Sequence, residues 1–251
     1  MSKYKLKEVL SLSLDIGERM LKCGAEISRV EDTIKHILNG YGIKYKEVFA
    51  MNSLIIVTIR KEDESYTESR RIMHIYKDLG QLELLNNLSR DICNNNISRK
   101  EVLKKLDEFK TKDKVMPFIG SMLAAFSFTL FFGGNIKDAF ISLLIAVILN
   151  LYNRFMKSAH INSLINSFVS GFIIGVLAIL LTKLGLCDNF DKIIIGDIML
   201  LIPGLSMFIS INDIFKGDTM SGLGRFTEGL FLALSIGAGV GLSLIMLGGL
   251  L

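Results

Sequence analysis

A run of polar residues interrupts one long apolar stretch of the sequence, between Ile193 and Glu228. The residues of this stretch that could do chemistry are Asp197, Pro203, Gly204, Asn212, Asp213, Asp218, Ser221, Arg225 and Glu228. Carboxylates and a Pro-Gly break are costly in hydrocarbon, so in membrane proteins they usually face a cavity or a bundle interior. Their grouping in one apolar run therefore predicts a polar path for a solute or an ion.

The residue types along this path suggest specific chemical roles. Pro203 cannot donate a hydrogen bond to the carbonyl of Met199, and a carbonyl released beside a cavity can hold an ion or a substrate. Asp197, about 9 Å away along a helix axis at ~1.5 Å per residue, could carry a proton or a cation. Arg225 or a half-helix N terminus could hold a substrate carboxylate, and Asp213 or Glu228 could take up a coupling proton.

The same residues also have a purely structural interpretation. A Pro-Gly kink is common in membrane helices and needs no substrate to explain it. Asp197 could lie at the membrane interface, and Asp213, Asp218 and Arg225 could simply be solvated in the loop that follows. Their joint occurrence in one run and its adjoining loop favours the functional interpretation, without excluding the other.

The rest of the sequence divides into two unlike halves. The chain has 251 residues, of which 50% are hydrophobic, and charged residues become sparse after about Lys114. We therefore predict a cytoplasmic α+β domain over 1–114 and an all-α bundle of about five transmembrane helices over 115–251. Each apolar run is near the ~20 residues that cross a bilayer. The predicted spans are 116–132, 136–152, 165–184, 193–211 and 226–251.

The residue pattern of the first half predicts two helices, then three strands, then two further helices. Apolar residues at helical spacing indicate helices over 5–22, 28–39 and 78–94. The helix over 28–39 and a last one over 98–110 each begin with a capping-box pattern, Ser28 to Glu31 and Ser98 to Glu101. β-Branched runs indicate strands over 43–51, 53–61 and 66–75. At the first helix junction, Glu26, Arg29, Glu31 and Asp32 form either a polar site or an ordinary cap with surface ion pairs.

Composition excludes several function classes. A net charge of +4 with dispersed bases gives no nucleic-acid surface, and three scattered cysteines give no metal or disulfide pattern, so we expect no metal and no cofactor. An intramembrane hydrolase would need Asp197 and Asp213 close together, whereas one straight helix separates them by roughly 24 Å. We therefore expect that the protein is not an enzyme. Lysine and arginine in the loops favour a cytoplasmic N terminus.

Two motifs resemble a known family. The segment GAEISRVEDTI in the first half and the series IPG, ND and KGDTMSGLGRFTEG in the second are similar to the threonine/serine exporter (ThrE) family, and more closely to its YjjP-type half. The motif positions are Gly24, Glu26, Arg29, Glu31, Pro203, Gly204, Asn212, Asp213, Gly217, Asp218, Ser221, Gly222, Arg225 and Glu228.

The resemblance implies a multi-pass protein of the cytoplasmic membrane that exports small hydrophilic metabolites. Its substrates would be threonine and serine, or dicarboxylates such as succinate. Because this chain stops after its fifth apolar run, it looks like the split form, which works with a separate small YjjB-like membrane subunit. Proton coupling follows from the intramembrane carboxylates, and a homo-oligomer is possible. The alternative is a membrane-anchored sensor or assembly protein whose soluble domain binds a ligand or partner.

Overall fold

Helices make up most of the computed structural model, which describes residues 3–61, 64–73, 75–95, 101–102, 104–105, 115–158 and 161–250. We number the helices α1 (Lys3–Lys22), α2 (Ile27–Gly40), α3 (Leu79–Asn95), α4 (Val115–Phe131), α5 (Ile136–Ser158), α6 (Ser163–Lys183), α7 (Phe190–Ile198), α8 (Gly204–Phe215) and α9 (Thr219–Leu247). A short 3-10 helix, Gly248–Leu250, follows α9. Most of the helix predicted over 98–110 lies outside the described residues.

The chain divides into two compact units. The first unit consists of Met1–Lys112 together with Leu205–Phe226, and the second consists of Asp113–Gly204 together with Thr227–Leu251. Each unit is therefore discontinuous in sequence. Nothing in the sequence pattern indicates that 205–226 should be grouped with the N-terminal residues.

A three-stranded antiparallel sheet lies in the first unit, in the order β1 (Tyr45–Met51), β2 (Leu54–Lys61) and β3 (Glu64–Arg71). Ile55, Val57 and Ile59 on β2 are buried, and the residues between them are half-buried. This alternation is what a sheet with one face on a core requires, because successive side chains point to opposite faces. The predicted three-strand order is confirmed, although β3 ends at Arg71 rather than at residue 75.

The core of the first unit lies between this sheet and helices α1 to α3. Ile16 and Met20 of α1, and Ile34 and Ile37 of α2, are completely buried there. Their spacing follows one face of a helix, as the sequence predicted. Transfer of such a side chain out of water contributes roughly 1.5–3 kcal/mol. This apolar core holds the α1–α2 junction at a fixed place in the unit.

The second unit is helical and strongly apolar. Three helices are long and apolar enough to cross a membrane, over Ile136–Met156, Ser163–Lys183 and Thr219–Leu247. The helix over Pro117–Phe131 is apolar but shorter. Ile145, Ile174 and Ile193 form the centre of its core, each from a different helix.

The fourth predicted span is not a single helix. The predicted span 193–211 falls on two helices, α7 with 9 residues and α8 with 12 residues. Met199 to Pro203 lie between them and are not helical. At 1.5 Å per residue neither helix alone crosses roughly 30 Å of hydrocarbon. The break falls at Pro203, where the missing N–H and the bulk of the ring end a helix.

Close packing of α6 against α9 explains the small-residue pattern of α6. A Cβ added to Gly171 would lie 2.5 Å from the carbonyl oxygen of Ile236, a backbone atom that cannot rotate away. We expect Gly171→Ala to lower the free energy of unfolding by about 1–3 kcal/mol, as overpacking does. The measurement is the melting temperature of the full chain purified in detergent.

Gly237→Ala on α9 is the matched control, because no described atom lies within 4 Å of the added methyl group. Its melting temperature should equal or exceed that of the unchanged chain, since alanine is the better helix former. Equal stability of the two variants would contradict the packing argument.

Candidate functional site

The junction between α1 and α2 is built by a tight turn at Gly24. The N–H groups of Gly24 and Ala25 donate to the carbonyls of Leu21 and Met20, which is the Schellman pattern at the end of a helix. Gly24 has a φ of +87°, a left-handed conformation that is strained for other residues. This geometry explains why a glycine stands at the start of the first motif.

The start of α2 differs from the predicted capping box. The helix begins at Ile27, with Glu26 in the extended N-cap position and no side-chain cap, so Ser28 lies inside the helix. Glu31 does not reach back to Ser28: its Oε1 accepts a hydrogen bond from the N–H of Ala50 at 3.0 Å. The capping-box prediction is therefore wrong at this position.

Asp213 supplies the missing cap from a distant part of the chain. The N–H of Ile27 donates to Oδ1 of Asp213 at 3.1 Å, and Asp213 has no exposed surface. A carboxylate at the start of a helix also gains from the helix dipole. The first N–H of α2 is thus satisfied by an aspartate that the sequence had assigned to a solvated loop or to a transport path.

Arg225 pairs with the same aspartate. Its Nη1 lies 3.3 Å from Oδ2 of Asp213, and only 8% of its side chain is exposed. Its Nη2 donates to the carbonyl of Ala25 at 2.9 Å, and its Nε donates to Oδ1 of Asn52 at 2.6 Å. We call Ala25, Ile27, Asn52, Asp213 and Arg225 the Asp213–Arg225 cluster. All five residues belong to the first unit.

Asn52 was not predicted to belong to a site. It occupies the two-residue turn between β1 and β2, and its Nδ2 donates to the carbonyl of Ser221 at 2.7 Å. Asparagine is common in such turns for its backbone preferences alone, so its type carried no further signal. Ser221 and Arg225 lie in the first turns of α9, whereas the sequence placed them in a loop.

A second, more exposed group of charges surrounds the cluster. Nζ of Lys216 donates to Oε2 of Glu26 at 2.6 Å, and the Asn212 side chain acts on the same carboxylate. Burial raises the pKa of Glu26, but the hydrogen bond from Lys216, the Asn212 side chain and the charges of Lys216 and Arg29 together outweigh it, so its pKa lies below the usual 4.5. Burial and the nearby Glu31 carboxylate raise the pKa of Asp218.

The turn after α8 repeats the geometry of the α1–α2 junction. Gly217 has a φ of +95°, and the N–H of Asp218 donates to the carbonyl of Asp213 at 2.9 Å. Because the turn is this tight, α9 starts at Thr219, and its first turns carry Ser221 and Arg225. The motif glycines at 24 and 217 therefore place the backbone, while the charged residues make the contacts.

Asp197 forms a separate polar site inside the second unit. It lies in the last turn of α7 with no exposed surface, and its Oδ1 accepts a hydrogen bond from Oγ of Ser142 on α5 at 2.7 Å. Within the described part of the chain, no hydrogen-bond partner reaches its Oδ2 or the buried Oγ1 of Thr129. A fully buried carboxylate that is only half satisfied is costly, and such groups concentrate at functional sites.

Thr129 on α4 packs against α7 at Gly196, the residue next to Asp197. A Cβ at position 196 would lie 2.8 Å from the backbone nitrogen of Thr129, so only glycine allows this approach. Ser142 and Thr129 were not predicted as site residues. The one sequence feature that could have indicated either residue is its hydroxyl group within an otherwise apolar helix.

The structure brings together some of the predicted residues and not others. In the first unit it assembles Gly24, Glu26, Glu31, Asn212, Asp213, Asp218, Ser221 and Arg225 around the start of α2. Arg29 instead faces a neighbouring cavity. Asp197, the buried Pro203, the exposed Gly204 and the exposed Glu228 belong to the second unit.

Comparison with known proteins decides the family. The ThrE family model, described as "Putative threonine/serine exporter", matches residues 11–247, which is nearly the whole chain. The chain belongs to the ThrE family. The predicted family is thus confirmed, and membership in a family of transporters confirms that the chain is not an enzyme.

Among the named relatives, one is about twice as long as the matched region, and two are matched over nearly their whole length. The chain is 23% identical to the "Threonine/serine exporter" of Corynebacterium glutamicum over 94% of this chain, but spans only 50% of that relative. It is 21% identical to the "Probable succinate transporter subunit YjjP" of Escherichia coli K12, over 96% of both chains. The YjjP of Klebsiella aerogenes is 20% identical over 98% of this chain. No solved structure matches the chain.

Together, the family and the three long apolar helices identify a membrane protein involved in transport. Half of the Corynebacterium protein lies outside the matched region. The YjjP relatives are named as subunits, which implies that they act with a partner.

Proposed function

We propose that this chain is one subunit of a secondary transporter that exports small hydrophilic metabolites across the cytoplasmic membrane. The observation that carries the proposal is the extent of the family match: it covers 96% of the YjjP subunit of E. coli but 50% of the Corynebacterium exporter. Its partner would be a separate small YjjB-like membrane subunit, because the relatives matched over 96% of their own length are named as subunits. Threonine, serine and succinate are the substrates to test, because the relatives carry those names.

The Asp197 site supports proton coupling. A carboxylate enclosed by apolar helices, with Ser142 on one oxygen and no described partner on the other, can hold a proton and release it when the site opens. The non-helical segment from Met199 to Pro203 follows it directly. Broken helices beside a polar site are how many secondary transporters build their binding sites. Pro203 and Gly204 would contribute backbone groups to this part of the path.

The Asp213–Arg225 cluster supports a role in positioning rather than in direct substrate contact. Arg225 is engaged by Asp213, Asn52 and Ala25, so its guanidinium would have to exchange partners before it could bind a solute. We propose that the cluster fixes the helical segment 205–226 to the N-terminal residues. Glu228, exposed near the start of α9, remains a proposed residue of the path.

We further propose the predicted topology, with five spans, residues 1–114 on the cytoplasmic side, and the fourth span formed by α7 and α8 as a broken helix. Three long apolar helices support three of these spans directly. A cytoplasmic N-terminal domain agrees with the lysine and arginine bias of the loops. Labelling of single cysteines in whole cells would report which loops face the cytoplasm.

The test of the function is solute efflux from cells expressing this chain with and without a YjjB-like subunit. Cells are loaded in parallel with threonine, serine and succinate, and the appearance of each solute outside is followed. We expect efflux only when both subunits are present. With both proteins confirmed in the membrane, no efflux of any of the three solutes would contradict the proposal and favour a sensor or assembly role.

A further inference from the structure

A polar cavity of about 510 Å³ opens in the first unit, beside the start of α2. Helix α2, helix α3 and the end of α8 provide its walls, and the lining residues are Glu26, Ser28, Arg29, Asp32, Thr33, His36, Asn86, Ser89, Arg90 and Lys216. Sites for small molecules commonly have volumes of about 300–1,000 Å³. The cavity is thus large enough for an amino acid or a dicarboxylate.

The charges of the lining favour an anionic group. Lys216 and Glu26 neutralise each other through their 2.6 Å contact, which leaves Arg29 and Arg90 against the single carboxylate of Asp32. Arg90 donates to Oδ1 of Asn87, which engages only one of its nitrogens. The Arg29 carbonyl accepts a hydrogen bond from Oγ1 of Thr33 at 2.8 Å, whereas its exposed guanidinium has no hydrogen bond or ion pair with a residue in the described ranges and acts only through its charge on the Glu26 carboxylate. Two guanidinium groups in one cavity offer planar donor pairs that match a carboxylate.

The cavity is connected to the Asp213–Arg225 cluster by shared residues. Glu26 and Lys216 line the cavity, and Glu26 directly precedes Ile27, whose N–H binds Asp213. An anion in the cavity would compete with Glu26 for Lys216. Occupancy of the cavity would therefore change contacts at the start of α2 and at the end of α8.

We propose that this cavity is a loading site for the exported solute, a small molecule whose carboxylate is held by Arg29 and Arg90. The inference rests on the proposed function and deepens it. It requires a substrate that bears a carboxylate, and it assigns the binding of that substrate before export to the first unit. Asp32 provides an acceptor for a second, cationic group of the solute, such as the ammonium of an amino acid.

Direct binding is the first test. Threonine, serine and succinate are titrated separately into the full chain purified in detergent, and the heat of binding is measured. We expect saturable binding of at least one of the three. Arg29→Gln and Arg90→Gln should each weaken it about tenfold, the effect of removing one charged hydrogen-bonding partner. Arg71→Gln on β3, exposed and outside the cavity, should bind as the unchanged chain does.

A second measurement does not depend on the arginine variants folding correctly. In a Cys93→Ser background, His36→Cys places a thiol at the cavity wall, and Ser65→Cys places one on the exposed strand β3. The solute that binds should slow maleimide labelling at position 36 and leave labelling at position 65 unchanged. The proposal would be overturned if none of the three solutes, each tested separately, changed the labelling rate at position 36. It would also be overturned if both arginine variants bound the solute with unaltered affinity.

The efflux assay separates this inference from the proposed function. If cells export a solute at the full rate while both Arg29→Gln and Arg90→Gln chains are present at normal levels, the loading site is wrong and the transporter stands. If the solute binds and protects position 36 but is never exported, the cavity is a binding site and the transport function is wrong.

Discussion

Arg225→Met should abolish export and lower the local free energy of unfolding at the start of α2 by about 3–5 kcal/mol, the cost of removing one partner of a buried ion pair. The substitution leaves the fully buried carboxyl group of Asp213 without its cationic partner, and it also removes the donors to Ala25 and Asn52. Methionine has a similar length, so the volume of the side chain is largely kept. The expected loss is therefore electrostatic.

Hydrogen exchange of the full chain in detergent measures this effect at the amides that open α2. Lys35→Met is the matched control: it breaks the ion pair of Lys35 with Glu31 at 3.0 Å, where the lysine side chain is 40% exposed, and should cost about 0.3–0.5 kcal/mol at most. Adding Asp213→Asn to Arg225→Met should restore part of the stability, because the asparagine oxygen still accepts from Ile27 and no charge remains buried. Export and exchange rates in Arg225→Met equal to those of the unchanged chain would exclude a role for the ion pair.

Asp197→Asn should reduce efflux to the background seen without the chain, while leaving the protein in the membrane. Asparagine keeps the size of the side chain and can still accept a hydrogen bond from Ser142, so the packing of α5 and α7 is preserved. It cannot take up or release a proton, so any residual transport should lose its dependence on external pH. Ser142→Ala, which removes only the donor to Oδ1, should have a smaller effect.

Asp191→Asn is the control for this prediction, since Asp191 lies in the first turn of the same helix, is 51% exposed and pairs with its neighbour Lys192. Its efflux should equal that of the unchanged chain. Normal, pH-dependent efflux in Asp197→Asn would show that another group carries the proton. The transport function itself would not be affected by that result.

Local patterns in the sequence were sufficient to predict most of the secondary structure. Buried Ile55, Val57 and Ile59 belong to a β-branched run, and the Pro203 break lies where the proline removes a donor. The start of α2 could not be predicted in the same way. Its N–H is satisfied by Asp213, 186 positions further along the chain, so the local capping box was not used.

The membership of the site was also only partly predictable. Charged motif residues were recognised because carboxylates and arginine are rare in apolar runs. Asn52 and Ser142 are ordinary residues of a turn and a helix, and only tertiary contacts bring them to Arg225 and Asp197. The sequence predicted one path through Asp197 and the polar residues from Pro203 to Glu228, separate from the motif of the first half. The structure groups them instead in two places, one in each unit.

The discontinuous first unit has a consequence for biosynthesis. Ala25 and Ile27 leave the ribosome long before their partners, because Arg225 follows Ala25 by 200 positions. At 5–20 residues per second that delay is roughly 10–40 s. During this delay the N–H of Ile27 lacks its Asp213 partner, while the apolar segments between residues 115 and 204 are translated. Completion of the first unit therefore requires synthesis to pass residue 226, and a ribosome that stalls before residue 213 leaves the unit without its buried ion pair.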